Sequence, residues 1–368
     1  MRPEALDAML PWLRDRYGNP SGSHSLARAA RKAIDEARDI VAQCMGSLAR
    51  EVVFTGGGTE ADNLAVTGVI ARRGGTVVGS AIEHHAVLHP VTALDGKTVP
   101  VDQSGVIDLD ALVELLDDQV SLVTVMLANN EVGMIQPLAE VIRVVREHAP
   151  GAVVHSDVVQ AMPWLDVAQL ASNADLLSLS AHKLGGPQGV GALIVREGVA
   201  LNPLLRGGGQ ERERRSGTQN VAGIVGFAAG LQASVEHRDT TVERVSRLRD
   251  RLADGLTSMI SNCIESGDRA RKVAGSCSLL IAQIESEELL VLMDQAGICA
   301  TAGSSCASGA MESSHVLAAM GVPSDLAKGA LRLSLGWTTT DSDVDHALEV
   351  IPQLVDRLRS RQPLKVRT

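Results

Sequence analysis

Between residues 51 and 195 the chain keeps returning to short apolar runs: 51–54, 76–80, 121–127, 152–156, 175–180 and 190–195. Each is too short for a core helix, and each is bounded by Gly, Asn, Asp or Ser, so each predicts a buried strand. Helical patterns, such as 138–148 with apolar residues three and four apart, lie between most of them. Strands that are apolar on both faces and alternate with helices specify an α/β fold whose mainly parallel sheet is covered by helices. Such sheets bind ligands at the carboxyl ends of their strands. The polar clusters of this chain follow those strand ends.

Upstream, a helix is expected over 3–17, with apolar Leu6, Met9, Leu10 and Leu13, and a long amphipathic helix over 25–45. The texture changes after Arg206, where 207–218 is a Gly-rich, highly charged loop. A small-residue helix is expected at 221–236, and an amphipathic one at 242–259 opens a second domain of short strands (278–284, 330–335) mixed with helices. This predicts a large domain over 18–240 and a smaller α+β domain formed by 1–17 with 241–368. At 368 residues and 45% hydrophobic content the chain has ample material for both cores. Aromatic residues make up only 2%, and the net charge is -10, which argue against direct nucleic-acid binding. The start is too charged for a signal peptide, no apolar run is long enough to span a bilayer, and the five cysteines include no Cys-x-x-Cys pair. Reduced thiols in a cytoplasmic protein are expected.

The strand at 175–180 leads into Ser180-Ala181-His182-Lys183-Leu184-Gly185-Gly186-Pro187. Most lysines are simply solvated. One at a strand end, beside Ser and His and before a sharp turn, has the setting of a Schiff-base amine. Gly56-Gly57-Gly58-Thr59 follows the first strand and opens a helix, which makes a cup for a phosphate, although a Gly-rich helix start is often only a turn. His84 follows another strand and offers a flat ring for stacking; His85 and His89, spaced i, i+4, lack a third ligand, and no metal site is expected. Asn130 and Asp157 each follow strands. A strand-end carboxylate is commonly an N-cap, yet Asp157 suits the partner of a protonated ring nitrogen. The Ser180-x-x-Lys183 spacing also fits β-lactamase chemistry, but the Ser-Asp-Asn and Lys-Thr-Gly partners are missing after it. Near the C-terminus, Cys306 lies among small polar residues and is expected to be an exposed, mobile thiol. Cys44 and Cys277 fit the core, and Cys299 is expected packed at a strand edge. Arg332 in an apolar strand calls for an anionic partner, and a carboxylate is the natural one.

Together these segments resemble the cysteine desulfurases, class V aminotransferase relatives among the fold-type I pyridoxal-phosphate enzymes, in the branch with a mobile cysteine loop. The likeness rests on Phe54-Thr55-Gly56-Gly57-Gly58-Thr59-Glu60, Asn129-Asn130-Glu131-Val132-Gly133, Ser180-Ala181-His182-Lys183, Arg215-Ser216-Gly217-Thr218 and Gly303-Ser304-Ser305-Cys306. The resemblance implies that pyridoxal 5'-phosphate joins Lys183, stacks on His84, pairs with Asp157 and touches Gln160. It implies a phosphate held by Gly58, Thr59, Ser180 and His182, with Thr218 reaching the phosphate of a partner subunit in a homodimer. Asn130 and Arg332 would take the carboxylate of L-cysteine, with Lys183 and His84 moving protons. Cys306 would accept the sulfur as a persulfide, and an iron–sulfur scaffold or tRNA-thiolation protein would receive it. A selenocysteine lyase is the alternative on the same scaffold. Family members usually begin with a strand and an Asp-(Asn/His)-Ala-Ala-Thr-Thr stretch that Met1-Arg2-Pro3-Glu4 resembles the sequel of; a non-catalytic sulfur-relay protein is the reading if activity needs that stretch.

Overall fold

The computed structural model describes residues 1–302 and 314–361. They form two compact units: one of Met1–Pro100, Ile107–Ala128 and Gln136–Arg238, the other of Val101–Val106, Asn129–Ile135 and the chain from Asp239 onward.

The first unit opens with helices α1 (Pro3–Arg14) and α2 (Ser25–Cys44), then β1 (Val52–Thr55), α3 (Gly58–Arg73), β2 (Thr76–Ser80), α4 (His85–Ala93) and β3 (Lys97–Val99). It continues with α5 (Leu109–Leu115), β4 (Val120–Thr124), α6 (Leu138–His148), β5 (Val153–Asp157), α7 (Val167–Leu170), β6 (Leu176–Ser180), β7 (Gly191–Val195) and α8 (Val221–Glu236). The sheet order is β1-β7-β6-β5-β4-β2-β3. Neighbours from β3 to β6 are parallel; β7 runs against both β6 and β1. Strands β4 to β7 are buried almost throughout, which is why their sequences read as continuous apolar runs.

Helix α3 packs across this sheet. Its Ala61, Leu64, Ala65, Val66 and Val69 meet Val53, Val77, Leu122, Val153, Leu176 and Leu193 in a dry core. Truncating any one of these fully buried leucines to Ala would cost about 2–5 kcal/mol. Helix α8 is rich in Ala and Gly because α1 and α2 lie directly on it. Ala5 is fully buried there, and a β-carbon on Gly226 would strike Met9. Residues 1–17 therefore belong with the large unit, a correction to their expected place in the smaller one. The reason is that α1 carries two apolar faces, one of which pairs with the small-residue surface of α8.

The second unit contains α9 (Arg238–Met259), β8 (Cys263–Glu265), β9 (Ser276–Ile281), α10 (Ser286–Gln295), β10 (Thr301–Ala302), α11 (His315–Ala319), α12 (Ser324–Ala327), β11 (Ala330–Ser334) and α13 (Asp341–Arg361). Its sheet, ordered β10-β11-β9-β8, is antiparallel throughout. Cys277 is fully buried in β9, Cys44 is half-buried, and Cys299 is exposed rather than packed, since it precedes the two-residue β10. Cys306 lies outside the described residues. Among them, no helix is long and apolar enough to cross a membrane.

Candidate active site

In the first unit, three strand ends converge. Strand β1 ends at Thr55, and the chain turns through Gly56 and Gly57 (φ 150°) into α3, whose N-terminus has no side-chain cap. First-turn N–H groups left this way face an incoming anion with the positive end of the helix dipole. A β-carbon on Gly58 would lie 3.2 Å from Val159 Cγ2 and 3.3 Å from Ser180 Cβ. The cup at Gly58 and Thr59 is thus built against the turn after β5 and the end of β6.

Asp157 ends β5 and is buried, with Oδ1 accepting the Val159 N–H at 2.8 Å. Burial pushes its carboxyl up to about 6; the Val159 N–H and the charge of Lys183 pull the other way. Gln160 follows, half-buried in the same turn. Ser180 ends β6, its Oγ 2.8 Å from Nδ1 of His182. The turn Ala181–Leu184 carries exposed Lys183, and burial together with the neighbouring Lys183 charge lowers the His182 pKa. Gly185 closes the turn at φ 83°, a backbone that a side chain rarely adopts. Arg2 braces it from the start of the chain, with its N–H donating to Gly185 O at 2.7 Å and its Nε–H to Leu184 O at 3.0 Å.

His84 caps α4, and its Nδ1 accepts the Ala86 N–H at 3.1 Å. That bond assigns the hydrogen of the neutral ring to Nε2, so uptake of a second proton requires breaking it. His85 and His89 stack on each other, ring centroids 4.9 Å apart. Thr218 is exposed and lines a cavity of about 110 Å³ together with Thr55, Gly56, Glu211 and Arg215.

In the second unit, Asn129 Oδ1 accepts the N–H groups of Glu131 and Val132, and Gly133 (φ 77°) lets the loop turn back. Arg332 in β11 donates Nη1–H to Asn130 O at 3.0 Å, while its buried Nε has no hydrogen-bond partner among the described residues. The Glu131 charge also acts on this guanidinium, whose remaining donors keep capacity for a carboxylate.

The sequence did not disclose the polar layer behind Asp157. His155 lies buried between Thr124 Oγ1 (2.8 Å, at Nδ1) and Ser178 Oγ (2.9 Å, at Nε2), with Asp62 Oδ1 3.7 Å away. Burial drives His155 down to about 3 and raises Asp62 well above the carboxylate range. Glu83 accepts the Met126 N–H at 2.6 Å, and burial with the Asp157 charge pushes it up to about 8. Asp62 did leave a signal: it stands three, four and seven residues before Ala65, Val66 and Val69, on the apolar face of α3.

Residues 1–347 match the family described as Aminotransferase class-V. The chain belongs to that family. Among its class-V relatives, the cysteine desulfurase IscS of Methanosarcina thermophila is 41% identical over 99% of this chain and 91% of its own length. The cysteine desulfurase IscS of Dictyoglomus turgidum is 38% identical over 99% and 94%. A solved NifS-like protein superposes with a TM-score of 0.91 at 35% identity, covering 97% of both chains. A NifS-like protein from Rickettsia africae gives 0.89 at 29% identity, over 97% of this chain and 96% of its own.

Class-V cysteine desulfurases depend on pyridoxal phosphate, and the residues of the first unit fit that group. An uncapped helix start without β-carbons suits the phosphate. The buried Asp157 carboxylate, which feels the Lys183 charge, suits a protonated ring nitrogen. Lys183 supplies the amine.

Proposed function

We propose that this chain is a cytoplasmic, homodimeric cysteine desulfurase that converts L-cysteine to L-alanine and carries the released sulfur as a persulfide on Cys306. The observation that supports it most is the convergence of the Gly58 cup, the Asp157 turn and the Lys183 turn at the ends of β1, β5 and β6. Gly58, Thr59, Ser180 and His182 hold the phosphate, Thr218 reaches that of the partner subunit, Asp157 holds the ring nitrogen's hydrogen, Gln160 contacts the ring hydroxyl and His84 stacks on the ring. Pyridoxal phosphate, when bound, supplies an electron sink for the bonds at the substrate's Cα.

The chain's own residues do the rest. Arg332 and Asn130 take the cysteine carboxylate, and the Arg332 Nε hydrogen has no partner among the described residues. Lys183 Nζ moves the Cα proton; the exposure of this side chain keeps the amine reachable. His84, exposed at the start of α4, handles protons through its ring. The Cys306 thiolate attacks the substrate sulfur: an S–S bond forms, the C–S bond breaks, and its electron pair stays on the substrate carbon, which takes a proton and leaves as alanine. An acceptor protein, of the iron–sulfur scaffold or tRNA-thiolation kind, then receives the sulfur.

A second copy of the chain is the fitting cover for Leu6 and Leu13, which lie two turns apart on α1 and are 46% and 59% exposed, and for Tyr17 at 85%.

The visible absorption of the purified protein before and after L-cysteine tests this reading. A yellow lysine-bound cofactor band that changes with cysteine, with alanine and sulfide formed under reductant, is expected. Cys306→Ala should keep the band and abolish sulfide release; desulfuration of cysteine by that variant overturns the role of Cys306. Activity retained on selenocysteine alone would turn the reading to a selenocysteine lyase.

A further inference from the structure

Three successive residues without glycine, Glu211 (φ 48°), Arg212 (φ 56°) and Glu213 (φ 65°), take left-handed backbone. Every one of them is disfavoured relative to glycine, and glycines stand immediately before, at 207–209. Such a turn persists only where its surroundings over-determine it. Here they do. The Glu211 carboxylate is buried and receives both Nη hydrogens of Arg38 at 2.7 and 2.8 Å, the Phe54 N–H at 3.0 Å and the Gln219 amide. Arg38 also donates to Val52 O at 2.8 Å and lies over the Phe54 ring, 4.7 Å from its centroid. Arg212 reaches back to Val52 O and Ala49 O. The strained turn is thus riveted to α2 and to the strand that enters the phosphate cup.

What the turn delivers follows directly after it. Arg215 pairs with Glu60 at 2.8 and 3.2 Å, and Glu60 Oε2 accepts the Gly56 N–H at 2.8 Å. Glu60 stands in the first turn of α3, where its negative charge competes with a phosphate for the same helix end. Pairing it with Arg215 removes that conflict. Gly217 N–H closes the loop on Gln210 Oε1 at 2.9 Å, next to Thr218.

We propose that Glu211 is a positioning residue for the phosphate cup: its buried ion pair with Arg38 locks the left-handed turn that sets Arg215 on Glu60 and fixes the Gly56–Gly58 backbone. This rests on the cofactor reading above. The test compares wild type and Glu211→Gln as full-length apoprotein. Binding of pyridoxal phosphate and of phosphate-free pyridoxal is titrated by absorbance, and amide hydrogen exchange is followed over residues 56–60. Glu211→Gln should weaken pyridoxal phosphate by roughly tenfold or more, the usual cost of an unpinned supporting shell. It should leave pyridoxal affinity unchanged and speed exchange at 56–60. Equal loss for both ligands, or unchanged pyridoxal phosphate affinity, overturns the proposal. A wild type that binds neither ligand overturns the cofactor reading instead. If Glu211→Gln does not fold, the Arg38→Met/Glu211→Leu pair replaces two buried ions with apolar groups and carries the same expectations. Glu213→Gly is the converse check: it relaxes one exposed left-handed residue, so it should raise the unfolding midpoint without weakening pyridoxal phosphate, and a drop in midpoint counts against strain in the turn.

Discussion

Three carboxyl groups, Asp62, Glu83 and Asp157, share the buried layer behind the cofactor residues with a single imidazole, and His155 is neutral there. They cannot all be ionised, because each charge raises the cost of the next; Asp157, nearest in effect to Lys183, is the one placed to keep its charge. Linkage makes this measurable. Glu83 titrates at about 8 when folded and near 4.5 otherwise, so the folded protein keeps a proton that the unfolded chain has released. Stability from that group is complete at low pH and is lost as pH rises toward 8. His155 works in the opposite sense, losing stability as pH falls from 6.5 toward 3, and Asp157 is spent by about 6. Between pH 6.5 and 8 Glu83 contributes a slope, and Asp62, raised well above its ordinary value, works in the same sense. The share of Glu83 in the loss of unfolding free energy across that window should be about 2 kcal/mol, from about 1.4 kcal/mol per pH unit. Glu83→Gln should remove that share and make the slope shallower. Urea unfolding at several pH values decides it, and an identical slope in the variant sinks the assignment of a proton to Glu83.

Elements, rather than single groups, hold the Lys183 turn in place, since α1 reaches across to it through Arg2. A β-carbon on Gly185 would sit 2.6 Å from Arg2 Cγ, on a residue already at φ 83°. Gly185→Ala should therefore cost about 2 kcal/mol or more, and Arg2→Ala about 1 kcal/mol through the lost Nε–H bond to Leu184 O, the backbone N–H bond to Gly185 being kept. Urea unfolding of the double variant should show less than the sum, because removing Arg2 opens the space that the new methyl needs; strict additivity would mean that the two elements do not bear on each other. This contact also shows what was legible beforehand. Buried strands announced themselves because a sheet covered on both faces needs apolar residues at every position, and the expected 76–80 strand and 138–148 and 221–236 helices match those observed. The candidate residues Gly58, His84, Asp157, Ser180 and Lys183 stood out by their place at or just after strand ends, whereas Arg332, inside β11, stood out by its charge in an apolar run. The reversed direction of β7 was not, since a strand apolar on both faces reads alike in either direction. Nor was α1's allegiance, which depends on the shape of α8. Pairings such as Arg38 with Glu211, 173 residues apart, leave no local pattern at all.

At the scale of the whole molecule, the proposed homodimer makes it testable which subunit's Thr218 serves which phosphate. Thr218 is exposed beside Arg215 on the loop that follows the strained turn, and α1 presents Leu6, Leu13 and nearby Tyr17 to solvent, so a two-fold pairing of chains has both a surface and a residue to share. Hybrid dimers distinguish sharing from self-sufficiency. One subunit carries Lys183→Ala, which cannot form the yellow lysine-bound species; the other carries Thr218→Asp, whose charge repels a phosphate wherever that residue acts. If Thr218 serves the partner's site, both defects fall in the same site, where Lys183 is already missing. The other site then combines an intact Lys183 with an intact Thr218, and the hybrid should show one yellow site per dimer with wild-type affinity for pyridoxal phosphate. If Thr218 serves its own subunit, the only site with Lys183 also carries the repelling aspartate, and no site retains wild-type affinity. Absorbance titration of hybrids purified with two different affinity tags reads the difference directly. The homodimers supply the two reference states: Lys183→Ala should be colourless, and Thr218→Asp should bind weakly in both sites. Full yellow affinity at one site of the hybrid is the expected outcome, and its absence would return each active site to a single chain.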